Sequence, residues 1–170
     1  MRYTVEIRGE TPLLQNRFHK AKSSSPEEEA RAAAYRGPGG RICHPASSIP
    51  KLIAAAGPPA GRSVGRRRIQ SSVRVIGDDI PILSKGREEY EPEVDSRPVS
   101  ENGSRSIRNR AKIEEWSSRF VLEFDDGVVT PDEVHELLSR GGRSLGIGDY
   151  RPERGGTFGR FYIQSWCREL

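Results

Sequence analysis

Cysteine is scarce in this chain: Cys43 and Cys167 are the two present among 170 residues. Two thiols cannot build a disulfide framework or a four-ligand zinc site, and their separation forms no motif, so both are expected to be reduced, small apolar side chains. Long apolar runs are missing as well. None approaches the roughly 20 residues that span a bilayer, and the opening MRYTVEIRG lacks the apolar segment of a secretory signal. The expectation is a soluble, cytoplasmic protein with no membrane partner. Hydrophobic residues make up 34% of the chain, against 18 glycines and 12 prolines, which implies a modest core and much loop. Nucleotide-binding motifs are absent: there is no G-x-x-x-x-G-K-[ST] and no complete G-x-G-x-x-G after a strand, so no nucleotide cofactor is expected. The acidic pairs Asp78-Asp79, Glu88-Glu89 and Asp125-Asp126 have no His or Cys at ligand spacing, so no metal is expected either. Lysine is also rare. Of 28 basic residues five are lysine, leaving 23 arginines, the side chain whose planar fork suits phosphates and stacks on bases.

What is present is a run of short elements in one domain spanning 1–170. Tyr3, Val5 and Ile7 alternate with Thr4, Glu6 and Arg8, the period of a half-buried strand. Ser25-Pro26-Glu27-Glu28 is a capping box that opens a helix toward Arg36. Ser47 or Ser48 is positioned to cap a second helix over 48–56, closed by Gly57. Residues 70–76 read as a strand, with 80–83 as a short continuation broken by Pro81. Segments near 93–99 and 106–113 flank Glu101-Asn102-Gly103-Ser104, a hairpin signal, so 78–114 is expected to hold an inserted, protruding hairpin. Residues 115–124 place Trp116, Phe120, Leu122 and Phe124 on a core face. Thr130-Pro131-Asp132-Glu133 opens a helix with Val134, Leu137 and Leu138 inward and Gly141-Gly142 at its end. Residues 157–166 read as the last strand. Without the insertions the order is strand, helix, strand, strand, helix, strand: an α+β, ferredoxin-like antiparallel sheet backed by two helices, the arrangement of RNA-recognition domains.

Two segments carry a resemblance. HPASSIPKLIAAAG (44–57) resembles the I-P-G-S-S-hydrophobic-K-G helix start of the repeat-associated mysterious protein superfamily, with Ala46 and Pro50 as departures. GGRSLGIGDYRPERGGTFGRF (141–161) resembles its glycine-rich loop, which ends in a G-F-G-R-like turn, here Phe158-Gly159-Arg160-Phe161. VEIRGETPLL (5–14) suits the first strand and following turn. The resemblance implies a modified RNA-recognition fold with a hairpin thumb, binding single-stranded nucleic acid as one unit of a repeating assembly, in a CRISPR effector complex or in a phage or mobile-element relative.

The candidate contacts follow from charge and glycine. Arg143, Arg151, Arg154 and Arg160 interleave with seven glycines between 141 and 159, a pattern that lets backbone and guanidinium approach phosphate. Arg105, Arg108 and Arg110 lie on the hairpin, which is about +4 between 97 and 112 by residue count. Arg66, Arg67 and Arg68, with Arg62, form a basic cluster suited to clamping a backbone. Ser47 and Ser48 stand at a helix N-terminus, where phosphate also binds. Alternation puts Phe158, Arg160, Tyr162 and Trp166 on one face of the last strand, where rings stack on bases. These features favour a non-catalytic single-stranded RNA- or DNA-binding protein that forms homo-oligomers or filaments along the strand, or a subunit of a ribonucleoprotein. A second reading is a metal-independent endoribonuclease using His44 as acid or base, His19 and His135 being the other histidines. A third is a protein-interaction module that mimics a backbone subunit.

Overall fold

Alternation at the start of the chain becomes β1 (Arg2–Gly9), with Val5 and Ile7 fully buried. The computed structural model describes residues 1–19 and 25–170. After β1 come β2 (Leu13–Gln15), α1 (Pro26–Ala33), β3 (Cys43–Pro45), α2 (Ser48–Ala55), α3 (Arg66–Ser72), β4 (Val73–Val75), β5 (Asp79–Pro81) and β6 (Leu83–Ser84). The second half contains β7 (Glu93–Glu101), β8 (Ser104–Ile113), β9 (Trp116–Phe124), α4 (Pro131–Ser144) and β10 (Phe161–Arg168). The main sheet runs β10-β1-β9-β4 with every pairing antiparallel, and β6 also pairs with β9. Taken as strands one to four, that order is 4-1-3-2, the ferredoxin-like order expected from the sequence. Among the described residues no helix is long and apolar enough to cross a membrane.

α2 and α4 pack together over the inner face through Ile49, Leu52, Ile53, Val134, Leu137 and Leu138. α4 starts as its sequence requires: the Thr130 hydroxyl accepts from the Glu133 amide, and the Glu133 carboxylate accepts from the Thr130 amide. Its end differs from expectation. Gly141 and Gly142 lie inside the helix, where a Cβ on Gly141 would overlap the Leu52 side chain and one on Gly142 would sit 2.6 Å from the Phe161 carbonyl oxygen. These glycines permit close helix packing rather than a cap.

Three more expectations are corrected. Residues 66–72 are helix, so the strand read over 70–76 is reduced to Val73–Val75; Ile69 is buried on α3, and the apolar pair Val73 and Val75 belongs to β4. Ser47 is the N-cap of α2, yet it has helical backbone angles and its hydroxyl makes no capping bond, because a cap needs the extended geometry that lets the side chain fold back to the amides. The last strand starts at Phe161 rather than 157, and its register slips between Glu6 and Ile7. That bulge returns Trp166 to the inner face, where it stacks on Tyr3 at 4.7 Å, so simple alternation fails there.

A second sheet, β2-β8-β7, stands beside the first. Asn102 and Gly103, with φ of 49° and 79°, form the hairpin turn between β7 and β8, the geometry that Asn-Gly favours. The hairpin's base is built in: α1 packs on β8 and β7, and Ala111 and Ile113 are buried. Within the same 78–114 stretch, β5 pairs with β3 and β6 with β9 in the body.

Candidate nucleic-acid interface

The glycine-rich segment after α4 is a constructed wall. Its backbone is sewn to the turn after β1 and to β2, through Gly159 N to Pro12 O and Asp149 N to Leu14 O, both 2.8 Å. Gly159 has φ of +75°, and a Cβ there would run into the Ile147 carbonyl, so this turn closes only with glycine. Opposite this wall stand α2 and α3. Between them lies a cleft of about 610 Å³, with His44 and Tyr35 from the β3 side.

The cleft gathers residues from several sequence patterns. Ser48, Arg66, Arg151, Arg154 and His44 all line it, and so does Lys51, one turn into α2. Arg151 is engaged, donating from Nη1 to Gly148 O at 2.9 Å and pairing with Glu153 at 3.1 Å. Lys51, Arg66 and Arg154 are exposed and have no ion-pair partner among the described residues. The two carboxylates of the cleft, Asp149 and Glu153, are paired with Arg110 and Arg151.

His44 is 4% exposed, and its environment sets its protonation. Burial, then the nearby Arg151 charge, push it down to about 4, so the imidazole is neutral near pH 7. Gln15 sets the tautomer. Its Oε1 accepts from Tyr35 N at 3.0 Å, which makes the other atom Nε2; that amide donates to Cys43 O at 2.7 Å and lies 3.2 Å from His44 Nδ1. Nδ1 is therefore the acceptor, and Nε2 carries the proton. Next door, burial and then the Asp79 charge push the Cys43 thiol up to about 11, keeping it protonated. Cys43 is buried and Cys167 exposed, both free.

Other candidates lie elsewhere. Arg110 is 6% exposed and paired with Asp149, so it ties the hairpin to the loop and is not open to a ligand. Arg105 is exposed near the hairpin tip, and Arg108 pairs there with Glu101. Phe158 is buried rather than on the open sheet. Its ring and that of Tyr150 flank the Arg97 guanidinium at 4.9 and 5.2 Å, a second tie between hairpin and loop. Arg143 and Arg160 do not line the cleft; they sit together, Arg160 Nε donating to Arg143 O at 2.9 Å. Arg67 and Arg68 are exposed on α3, and Ser47 is exposed above a smaller neighbouring cleft. Arg62 is held by Glu133 at 2.8 Å. On the outer sheet face Tyr162, 41% exposed and opposite Arg8, is a single ring rather than a stacking platform.

Sequence reasoning missed Lys51, Tyr35 and the Gln15 relay. Lys51 follows Ser48 by three, which puts both on one side of a helix; that spacing was the available signal. Nothing local links Gln15 to His44, since the contact spans 29 positions.

No protein-family model and no curated protein matches the chain. Solved structures do. One is a chain in the cryo-EM structure of the type III-B Cmr-beta complex bound to cognate target RNA, at TM-score 0.65 and 14% identity over 97% of this chain. This chain spans 59% of that one's length. Cmr6 from Pyrococcus furiosus matches at TM-score 0.49 and 11% identity, over 95% of this chain and 97% of its own. At the level of fold, the chain is thus similar to that chain of the type III-B Cmr-beta structure.

Proposed function

We propose that this chain binds single-stranded nucleic acid, RNA in the first place, as a subunit of a ribonucleoprotein assembly. The observation that carries the reading is the convergence of Lys51, Arg66 and Arg154, unpaired with any described residue, on a cleft walled by a glycine-rich loop. Exposed unpaired cations on both sides of a cleft bind phosphates and release their counterions. The RNA present in the Cmr-beta structure supports RNA as the ligand. The exposed hairpin tip, with Arg105 at its end, supports contact with the strand or with a neighbouring subunit, and hence oligomers or filaments along it.

His44 enters as a hydrogen-bond donor. A neutral ring with Nδ1 occupied by Gln15 and its proton on Nε2 is a poor general base at the cleft, and at about 4 it is not a charged acid near pH 7. Labelled RNA incubated with the protein in EDTA is therefore expected to stay intact; cleavage that disappears with His44→Ala would establish the endoribonuclease reading instead.

Binding is tested by fluorescence anisotropy with labelled single-stranded RNA, single-stranded DNA and duplex. The triple change of Lys51, Arg66 and Arg154 to Ala should lower the slope of log affinity against log salt by about 2, at roughly 0.7 per lost phosphate contact. A folded triple variant with unchanged affinity and slope would overturn the reading, and no binding by the parent protein at low salt would favour the interaction module.

A further inference from the structure

A site for phosphate alone would be lined by donors. This cleft is mixed: beside the unpaired cations it is lined by Asp149 and Glu153, each already ion-paired with an arginine, and by the neutral groups of Gln15, Tyr35 and His44. At its inner side His44 presents one neutral donor, Nε2, with no protein partner among the described residues, from a side chain 96% withdrawn from solvent. The donor is preorganised, because Gln15 is itself held at both ends by Tyr35 N and Cys43 O. The Tyr35 ring meets the imidazole edge-on, centroids 5.5 Å apart, and is half-buried on the same cleft. A volume of about 610 Å³ falls within the roughly 300–1,000 Å³ typical of small-molecule sites.

From this geometry we infer that the cleft between α2 and the glycine-rich loop holds a nucleoside of the bound strand, its base turned inward to accept a hydrogen bond from His44 Nε2 and its flanking phosphates on Lys51, Arg66 and Arg154. The inference rests on the nucleic-acid reading above and adds that the protein grips a base as well as the backbone. The cations supply the salt-dependent part of the affinity. His44 and the ring of Tyr35 supply a part that is independent of salt, because a neutral donor displaces no counterion. A nucleobase fits the donor: every base has an acceptor on an edge, and burial strengthens a hydrogen bond to it.

The decisive comparison uses the unaltered protein and two labelled RNA strands of equal length, one of uridylate and one with the same ribose-phosphate backbone and no bases. Strands of adenylate and cytidylate extend the set. The expected result is at least about tenfold tighter binding of intact strands, as removal of a stacked base produces, with the same salt slope for both. His44→Leu should cost the intact strand several-fold, leave its salt slope unchanged and leave the abasic strand unaffected. Because His44 is buried, Tyr35→Leu is a second variant expected to narrow the same preference. Equal affinity for intact and abasic strands overturns the inference while leaving backbone binding in place. Failure of the parent protein to bind either strand overturns both.

Discussion

At the scale of single residues, His44 shows how burial converts a titratable group into a fixed donor. Its folded value of about 4 lies below the ordinary 6.5, so the unfolded chain takes up a proton more readily than the folded one between those values. Stability is then complete above about pH 6.5 and is lost as pH falls toward about 4, a contribution of up to about 3 kcal/mol. Urea midpoints measured from about pH 7 down to about pH 4.5 should fall, and part of that fall should vanish in His44→Leu. An unchanged pH dependence in the folded variant would mean that other groups cause it.

At the scale of elements, the helix starts separate capping from ligand contact. Thr130 and Glu133 satisfy each other's backbone at the start of α4, so Thr130→Ala should cost about 1 kcal/mol with binding unchanged. Ser47 and Ser48 lead α2 without a capping bond. Ser48→Ala should therefore move the urea midpoint little, and any effect should appear in RNA affinity, since Ser48 lines the cleft. A stability loss for Ser48→Ala as large as that for Thr130→Ala would show that its hydroxyl caps the helix in solution.

At the scale of the whole molecule, hairpin and loop are one mechanical unit. Arg110 pairs with Asp149, and Arg97 lies between Tyr150 and Phe158, so β7 and β8 are anchored to the wall of the cleft while their tip projects. On that tip Ile107 is 64% exposed and opposite Pro98, which is also exposed. If repeated subunits follow one strand, this apolar pair meets a neighbour. Sedimentation with a long RNA should then give multimers for the parent protein and single, separately bound subunits for Ile107→Asp, with affinity for a short strand the same in both. A parent protein that stays monomeric on saturated long RNA would remove assembly from the functional reading.

Much of this was written locally. The alternation of Tyr3, Val5 and Ile7, the Thr130–Glu133 box and the Asn102-Gly103 turn all follow from interactions within a few residues, where backbone preference and hydrophobic period act. The glycine and arginine pattern of 141–160 brought Arg151 and Arg154 forward, the helix start brought Ser48, and the second, endoribonuclease reading brought His44; these four meet in one cleft. Tertiary structure decided the rest. Whether an arginine is free or spent depends on a partner far along the chain, as with Arg110 and Asp149 or Arg62 and Glu133, 39 and 71 positions apart. The face taken by Trp166 depends on a bulge against β1, and the glycines at 141 and 142 answer to Leu52 and Phe161. The proton on His44 Nε2 depends on Gln15, Tyr35 and Cys43 meeting at one point. Local sequence supplies the elements and the charges; long-range packing selects which charges remain for a ligand, because pairing and burial are properties of neighbours in space.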